Sequence, residues 1–303
     1  MNKNTPNLLT MKQPAPSDFI LFLHLQKTAG MTLQELLRRQ YGPGLAKRSI
    51  RRLLKRSPEG LGMAEALSAL SQKDKIFMGH FCFGVHRLLN FNTTYITFLR
   101  DPASRLISLY NFSANTPGAH YYKVAKDMTC EEFLFESKLL EMDNGMTRFL
   151  AGDEEDLFIN RTPYGKCGHK MLEKALSNLD NFFSFVGIQE EFDRSLLLLA
   201  ETFNWRNPCY VRLNTSRITE SKPAAHEDLK IRIKECNQLD SELYAICKER
   251  FMDTYNSVFQ DGDNALERFR MQNQKYQKWA KPLYQARSTI AGLIKKTLKG
   301  PRA

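Results

Sequence analysis

The segment between Asp18 and Leu37 constrains the fold of this chain more than any other. Its apolar run, Phe19 to Leu25, predicts a buried strand that stops at Gln26. A short loop of small residues follows, and from Leu33 apolar residues recur at helical spacing. A strand that leads through a tight loop into a helix presents unpaired N–H groups and the positive end of the helix dipole. The segment therefore predicts a binding site for a phosphate-like anion.

The loop itself carries groups that suit such an anion. The residues that we expect to contact it are Lys27, Thr28, Ala29, Gly30, Met31 and Thr32. Lys27 adds a positive charge, and the two threonine hydroxyls can donate hydrogen bonds. The spacing differs from that of the nucleotide loop G-x-x-x-x-G-K-[ST], because the lysine comes first and only one glycine is present. A P-loop-like kinase is therefore a weaker alternative, and an ordinary turn with an exposed lysine is the non-functional one.

A second anion site is predicted at the end of the strand Tyr95 to Leu99. Asp101 and Pro102 suit the N-cap and the first turn of a helix. Arg100 at the strand tip and Ser108 two turns into that helix can converge on one phosphate, and arginine binds phosphate oxygens bidentately. The alternative is a surface Arg–Asp pair with a helix-facing serine. Arg105 is expected to have a structural or peripheral role.

His80 is the histidine best placed to act as a base. It follows the short apolar run Ile76 to Gly79, so it is expected at a strand tip on the same edge as Lys27. Histidine has a pKa near neutrality and accepts a proton without much tuning. His86 is the runner-up, either contacting an acceptor or merely completing a loop. His24 is expected to be a packed residue of the core or beside the site.

These motifs resemble those of the carbohydrate (family 2) sulfotransferases, which include the heparan sulfate 2-O- and 6-O-sulfotransferases. The resemblance covers residues 18 to 260 and rests on His24 to Thr32, Gly79-His80-Phe81, Tyr95 to Tyr110, Asn144 to Gly152, Phe185 to Glu190 and Leu213-Asn214. It implies the donor adenosine 3′-phosphate 5′-phosphosulfate (PAPS), with the first loop on the 5′-phosphosulfate and Arg100 and Ser108 on the 3′-phosphate. It also implies His80 as the base and Lys27 at the leaving group.

Asn144 and Arg148 lie four residues apart on a predicted helix. The family pattern suggests that they line the acceptor or cofactor cleft, and a hydrogen-bonded pair on a helix face is the equal alternative. The acceptor itself stays open among a glycan, a glycolipid and a small hydroxylated metabolite. A non-catalytic polyanion-binding protein with the same fold is a further alternative, although a bare binder needs no base.

Charge and cysteine content narrow the setting. The 303 residues carry a net charge of +11, concentrated in a cluster from Arg38 to Arg56 and in the tail after Lys275. These clusters either steer an anionic acceptor or lie on a membrane surface, or they form solvated faces. The six cysteines show neither C-x-x-C spacing nor paired histidines, which indicates reduced thiols and no metal.

The predicted architecture is α/β, a three-layer P-loop-like sulfotransferase fold with a mainly parallel central sheet flanked by helices. We expect a flexible segment at 1–16, a sulfotransferase domain at 17–260 and a basic helical extension at 261–303. No signal peptide or apolar span is evident, unlike the membrane-anchored Golgi members of the family. This favours a bacterial-type soluble, cytoplasmic enzyme without nucleic-acid partners, with the basic tail as a candidate for peripheral membrane contact.

Overall fold

A parallel four-stranded sheet forms the centre of the molecule. The computed structural model describes residues 14, 15, 18–42, 70, 74–212 and 223–297. The strands are β1 (Phe19–Leu23), β2 (Ile76–Gly79), β3 (Thr93–Leu99) and β4 (Phe183–Ile188), in the order β2-β1-β3-β4. Every pairing within this sheet is parallel. The predicted α/β class with a parallel sheet is therefore confirmed.

Ten helices accompany the sheet in the described part of the chain, along with 3₁₀ turns at Val85–Leu88 and Leu140–Met142. They are α1 (Gly30–Tyr41), α2 (Pro102–Asn115), α3 (Tyr122–Ala125), α4 (Cys130–Phe135), α5 (Gly145–Ala151), α6 (His169–Phe182), α7 (Phe192–Thr202), α8 (Pro223–Cys236), α9 (Gln238–Val258) and α10 (Gly262–Thr297). None of these helices combines the length and the apolarity that crossing a bilayer requires. The six cysteines, all within the described residues, are unbridged.

The strands form where the apolar runs predict them. A parallel sheet is covered on both faces, so its strands read as continuous apolar runs rather than alternating ones. All residues of β1 and β4 are buried. The predicted strand at Ile76–Gly79 coincides with β2, whereas β3 begins two residues before the predicted start at Tyr95. The run Phe183 to Ile188 also predicts a core strand from sequence alone, and it coincides with β4.

Two predicted elements differ from the structure. The sequence from Cys130 to Leu140 predicts a helix, but the helix ends at Phe135 and the chain then turns at Lys138, whose φ is 52°. The sequence from Tyr210 to Asn214 predicts a strand that ends in a polar loop, but residues 210–212 pair with none of the described strands. Its continuation and the polar loop at 213–217 lie outside the described residues.

The strand order creates a crevice at one point of the sheet. After β1 the chain crosses to β2 on one side, and after β2 it returns to β3 on the other side of β1. Ligands of open α/β sheets bind outside the carboxyl ends of the strands at such a switch point. The loops that follow β1 and β3 flank this crevice, and these are the loops that carry Lys27 and Arg100.

The C-terminal extension is a single long helix over the described residues. One face of α10 is buried and packs on α7, with Leu266, Phe269, Asn273 and Ala280 at its centre. From the first basic cluster, Arg38 pairs with Glu35 at 3.0 Å, and Arg39 donates to the carbonyl of Cys209 and to the hydroxyl of Tyr276. The other members of that cluster, and residues 1–13, 16–17 and 298–303, lie outside the described residues.

Candidate active site

The loop after β1 has the backbone of an anion site. Lys27 and Ala29 both adopt left-handed φ values, 68° and 61°, which turn the chain sharply into α1 at Gly30. Ala29 is the N-cap residue and has no side-chain acceptor for the first N–H groups of the helix. Those groups lack intrahelical acceptors by geometry and point out of the helix end. The loop therefore presents donors at the crevice.

Two cations, Lys27 and Arg100, meet at this loop. The Arg100 guanidinium donates through Nη1 to the carbonyl oxygen of Lys27 at 3.0 Å. Burial, and next the charge of Arg100, lower the pKa of the Lys27 ammonium. Its Nζ lies 4.2 Å from the ring centroid of Phe112 on α2. Among the described residues no carboxylate lies within ion-pair distance of Lys27 or Arg100.

The second predicted motif is correctly placed, and one of its polar atoms lacks a protein partner. Asp101 caps α2 by accepting from the N–H of Ser104 at 2.9 Å, as predicted. The Nε atom of Arg100 is buried and has no acceptor within the described part of the chain. Ser108 lies one turn before Phe112 and shares its helix face, so it faces the Lys27 loop. Both side chains are thus available at the crevice.

His80 follows β2 and is exposed at the same edge of the sheet. Its Nδ1 lies 2.6 Å from the carbonyl oxygen of His24. Because a carbonyl oxygen only accepts, Nδ1 must carry the hydrogen. The neutral ring then has its basic lone pair on Nε2. This bond fixes both the orientation and the tautomer of His80.

The ring of His24 lies between His80 and the loop. Its centroid is 4.6 Å from that of the His80 ring. On the other side, a Cβ atom at Gly30 would come within 2.1 Å of His24 Cε1 and Nε2, so only glycine fits there. Burial, then the charges of His80 and Lys27, hold the pKa of His24 well below its usual value near 6.5. His24 is therefore a neutral ring that joins the two halves of the site.

Two predicted contacts are corrected by the structure. The Thr28 hydroxyl is buried and donates inward to the carbonyl of Leu25 at 2.8 Å, so it cannot face an anion at the same time. His86 lies at the amino-terminal end of the strands, where its Nδ1 is 2.9 Å from the Tyr95 hydroxyl and its ring packs on Phe182. The strands separate His86 from the crevice. The structure therefore supports the alternative that His86 completes a loop and does not contact an acceptor.

Asn144 and Arg148 are hydrogen-bonded within the scaffold instead of lining the crevice. Asn144 Oδ1 accepts from the N–H groups of Leu239 and Asp240. The fully buried Arg148 donates from Nη2 to Asp143 at 2.5 Å and from its other nitrogens to backbone carbonyls, including that of Thr162. The geometry supports the alternative that both are structural.

The sequence did not reveal how the loop is anchored. Gln26, its first residue, donates through Nε2 to the buried carboxylate of Glu141 at 2.9 Å. The same carboxylate accepts from Arg105 at 3.1 Å and from the Tyr121 hydroxyl at 2.8 Å. The cluster holds the loop to the helices behind it. The only sign of this cluster in the local sequence is a single glutamine between the strand and Lys27, because the other members of the cluster are more than 70 residues away.

Comparison with known proteins now places the chain. Residues 3–278 match the model of the galactose-3-O-sulfotransferase family. The chain belongs to this family. The predicted resemblance to carbohydrate sulfotransferases is thereby confirmed, while a bacterial type stays a prediction.

The individual relatives have low sequence identity to this chain. Heparan-sulfate 6-O-sulfotransferase 2 of Homo sapiens is 26% identical over 62% of this chain and 34% of its own length. Galactose-3-O-sulfotransferase 3 of Mus musculus is 26% identical over 58% of this chain and 39% of its own length. The chain thus spans between a third and two fifths of these relatives. A solved sulfotransferase from Alicyclobacillus acidocaldarius aligns at 13% identity with a TM-score of 0.43, covering 80% of this chain and 100% of that one.

Proposed function

We propose that this protein transfers a sulfuryl group from PAPS to a hydroxyl group of a glycan or glycolipid. The observation that carries the proposal is the meeting of Lys27, Arg100 and His80 at the switch point of the sheet, where neither Lys27 nor Arg100 forms an ion pair with a described residue. The family and the relatives' names concern sulfate transfer to galactose and to heparan sulfate. They support a carbohydrate acceptor without fixing which one.

The residues of the crevice fit a donor that carries phosphate at two positions. The uncapped start of α1 and Lys27 suit the 5′-phosphosulfate, because both offer positive charge and N–H donors. The buried Nε of Arg100 has no acceptor among the described residues, and an oxygen of the 3′-phosphate would supply one, with Ser108 donating beside it. Thr28, Gly30, Met31 and Thr32 would contribute backbone groups to the same loop.

The proposed chemistry assigns opposite ends of the transferred group to two residues. The acceptor oxygen forms the new bond to sulfur while the bond from sulfur to the 5′-phosphate oxygen breaks. His80 Nε2 takes the hydroxyl proton, and Lys27 stabilises the charge that develops on the departing oxygen. Adenosine 3′,5′-bisphosphate leaves with that electron pair. The His24 carbonyl keeps His80 in the tautomer that the proton transfer requires.

Calorimetry on the purified chain tests the donor. Adenosine 3′,5′-bisphosphate should bind far more tightly than AMP, and Arg100→Met should weaken the bisphosphate by about tenfold to a hundredfold, the value of a lost charged hydrogen bond. AMP binding should not change in that variant. The matched control is Arg161→Met, which removes an exposed arginine whose partner is Asp156. Equal affinity for the two nucleotides would remove Arg100 from the proposed role.

An acceptor screen tests the reaction. Labelled PAPS is incubated with galactosides, heparan fragments and glycolipids, and mass spectrometry detects the added sulfonate. Phosphoryl transfer from ATP that a chelator abolishes would support the kinase alternative. Tight binding of a polyanion with no transfer in any assay would support the non-catalytic alternative.

A further inference from the structure

The C-terminal helix α10 leaves one face uncovered. Met271, Trp279 and Leu283 are 52%, 60% and 63% exposed. They lie at intervals of four and eight residues, so they fall within about 120° of the helix circumference, beside the buried side that packs on α7. Large apolar side chains that are exposed together on one face indicate an interaction surface.

Cations surround this apolar face. Lys275, Lys278 and Lys281 lie between its members and are exposed. From residue 268 to the last residue the sequence has ten basic residues and no acidic one. The basic residues are Arg268, Arg270, Lys275, Lys278, Lys281, Arg287, Lys295, Lys296, Lys299 and Arg302. Arg270 pairs with Asp193 at 3.0 Å. The described part of the uncovered face therefore combines apolar side chains with the three exposed lysines, in a segment that has no acidic residue after Glu267.

We propose that this face of α10 binds the surface of an anionic lipid bilayer. Helices that lie in a membrane interface combine lysines and arginines with tryptophan and leucine, which enter the boundary between headgroups and acyl chains. Anionic headgroups match the charge, and the acyl boundary covers Trp279 and Leu283. The inference is independent of the proposed reaction, because it concerns a surface outside the crevice.

Two other occupants match the face less well. A second copy of the chain would bring together two helix segments that have no acidic residue after Glu267, and their charges would repel each other. A soluble polyanion would pair with the lysines but would leave the exposed tryptophan and leucine in water. Only a bilayer of negative charge satisfies both kinds of side chain.

The protein contains its own probe for this contact. It has two tryptophans, and Trp205 is 9% exposed whereas Trp279 is 60% exposed. Insertion of Trp279 into an interface should shift the fluorescence emission to shorter wavelengths. The full chain is titrated with vesicles of phosphatidylcholine alone and with vesicles that contain 30% phosphatidylserine, a composition chosen to resemble an anionic leaflet at roughly −30 to −50 mV. The shift is expected only with the anionic vesicles, and Trp279→Phe should abolish it.

Co-sedimentation with anionic vesicles measures the separate contributions of the lysines and of the apolar side chains to binding. Lys275→Gln, Lys278→Gln and Lys281→Gln together should weaken binding about a hundredfold, since each surface lysine contributes roughly fivefold. The double variant Trp279→Gln and Leu283→Gln should also weaken binding, by roughly tenfold or more, because the apolar side chains no longer enter the boundary. Matched controls are the exposed Lys123, Lys170 and Lys174 changed to Gln, and the exposed Ile231 and Val258 changed to Gln. These controls should bind as the parent does.

Several results would overturn the proposal. Equal binding to neutral and anionic vesicles would overturn it, and so would no binding to either. If the double apolar variant bound anionic vesicles fully and was retained on dextran sulfate as the parent is, the face would be a polyanion site. A dimer in light scattering that the double apolar variant dissociates would assign the face to a second copy. All changed side chains are exposed, so circular dichroism should report a folded protein in every variant.

Discussion

Two sets of cations in this molecule differ in how their charge is compensated. Behind the crevice, Arg105 lies 3.1 Å from Glu141 and 3.7 Å from Asp240, and Arg148 lies 2.5 Å from Asp143. At the crevice, the Arg100 guanidinium donates to the carbonyl oxygen of Lys27. Neither residue has an ion-pair partner among the described residues. Arg105 follows Arg100 by only five residues in the same motif.

The difference distinguishes cations that are paired with acids in the scaffold from the two that we propose for a ligand. Partial burial lowers the pKa of both Lys27 and Arg100, and for Arg100 the charges of Glu190 and Asp101 offset this only in part. Such groups persist where the missing anion arrives from outside. Four experiments, in order of decreasing expected effect, can break or sharpen this contrast.

His80→Ala should lower kcat by roughly 10²- to 10⁴-fold, the usual effect of a lost general base. Its affinity for adenosine 3′,5′-bisphosphate should stay near that of the parent, because the proposed role of His80 is at the acceptor and not at the nucleotide. Steady-state kinetics and calorimetry measure the two quantities. His86→Ala is the matched control, since His86 lies at the other end of the strands and should leave turnover intact. Near-normal turnover in His80→Ala would remove it as the base.

Arg105→Met should lower the free energy of unfolding by about 3–5 kcal/mol, because Glu141 and Asp240 would remain buried without their cation. Arg100→Met should leave the ligand-free protein within about 0.5 kcal/mol of the parent or stabilise it, since no described carboxylate loses an ion-pair partner. Urea unfolding followed by circular dichroism compares the two. Equal losses would mean that the contrast between the two sets of cations does not hold.

Gly30→Ala should destabilise the protein by about 1–3 kcal/mol, because its Cβ would overlap the His24 ring. Adding His24→Ala should return part of that loss, so the double variant should lose less than the sum of the single ones. Gly168→Ala is the control, since a Cβ there meets nothing within 4 Å. Additive losses would show that His24 and Gly30 are not in contact.

Acid should weaken the fold through His24. Its pKa is lowered in the folded protein, so the unfolded chain binds a proton near pH 6.5 that the folded one does not. The stability from this group is complete above that pH and falls as the pH drops toward the folded pKa. Between pH 7.5 and 5.5 the parent should lose up to about 1.4 kcal/mol more than His24→Phe. Parallel pH profiles of unfolding would contradict the buried neutral ring.

The sequence predicted the elements whose signals are local. The apolar runs identified all four strands of the described sheet, and Asp101-Pro102 identified the start of α2, because strands and caps depend on neighbouring residues. The order of the strands placed Lys27, His80 and Arg100 at one edge.

Contacts between distant residues were beyond the sequence. Arg148 and Asn144 have the spacing of a functional pair, yet they bond to Asp143, Leu239 and Asp240. The inward turn of the Thr28 hydroxyl and the position of His86 depend on the folded backbone. Composition and spacing give no information about which carboxylate an arginine will meet, and that partner decides between scaffold and site.

The strand order also makes one part of the site more firmly held by the sheet than the other. Lys27 follows β1, which is paired on both sides, whereas His80 follows the four-residue β2, whose only neighbour among the described strands is β1. Short strands bonded on one side exchange their amide hydrogens through local opening well before the whole protein unfolds. Local opening of β2 would displace His80, the proposed base, while the loop at Lys27 stays formed. If the proposed roles hold, warming should abolish transfer at temperatures where adenosine 3′,5′-bisphosphate still binds, and hydrogen exchange should rank β2 as the first strand to open.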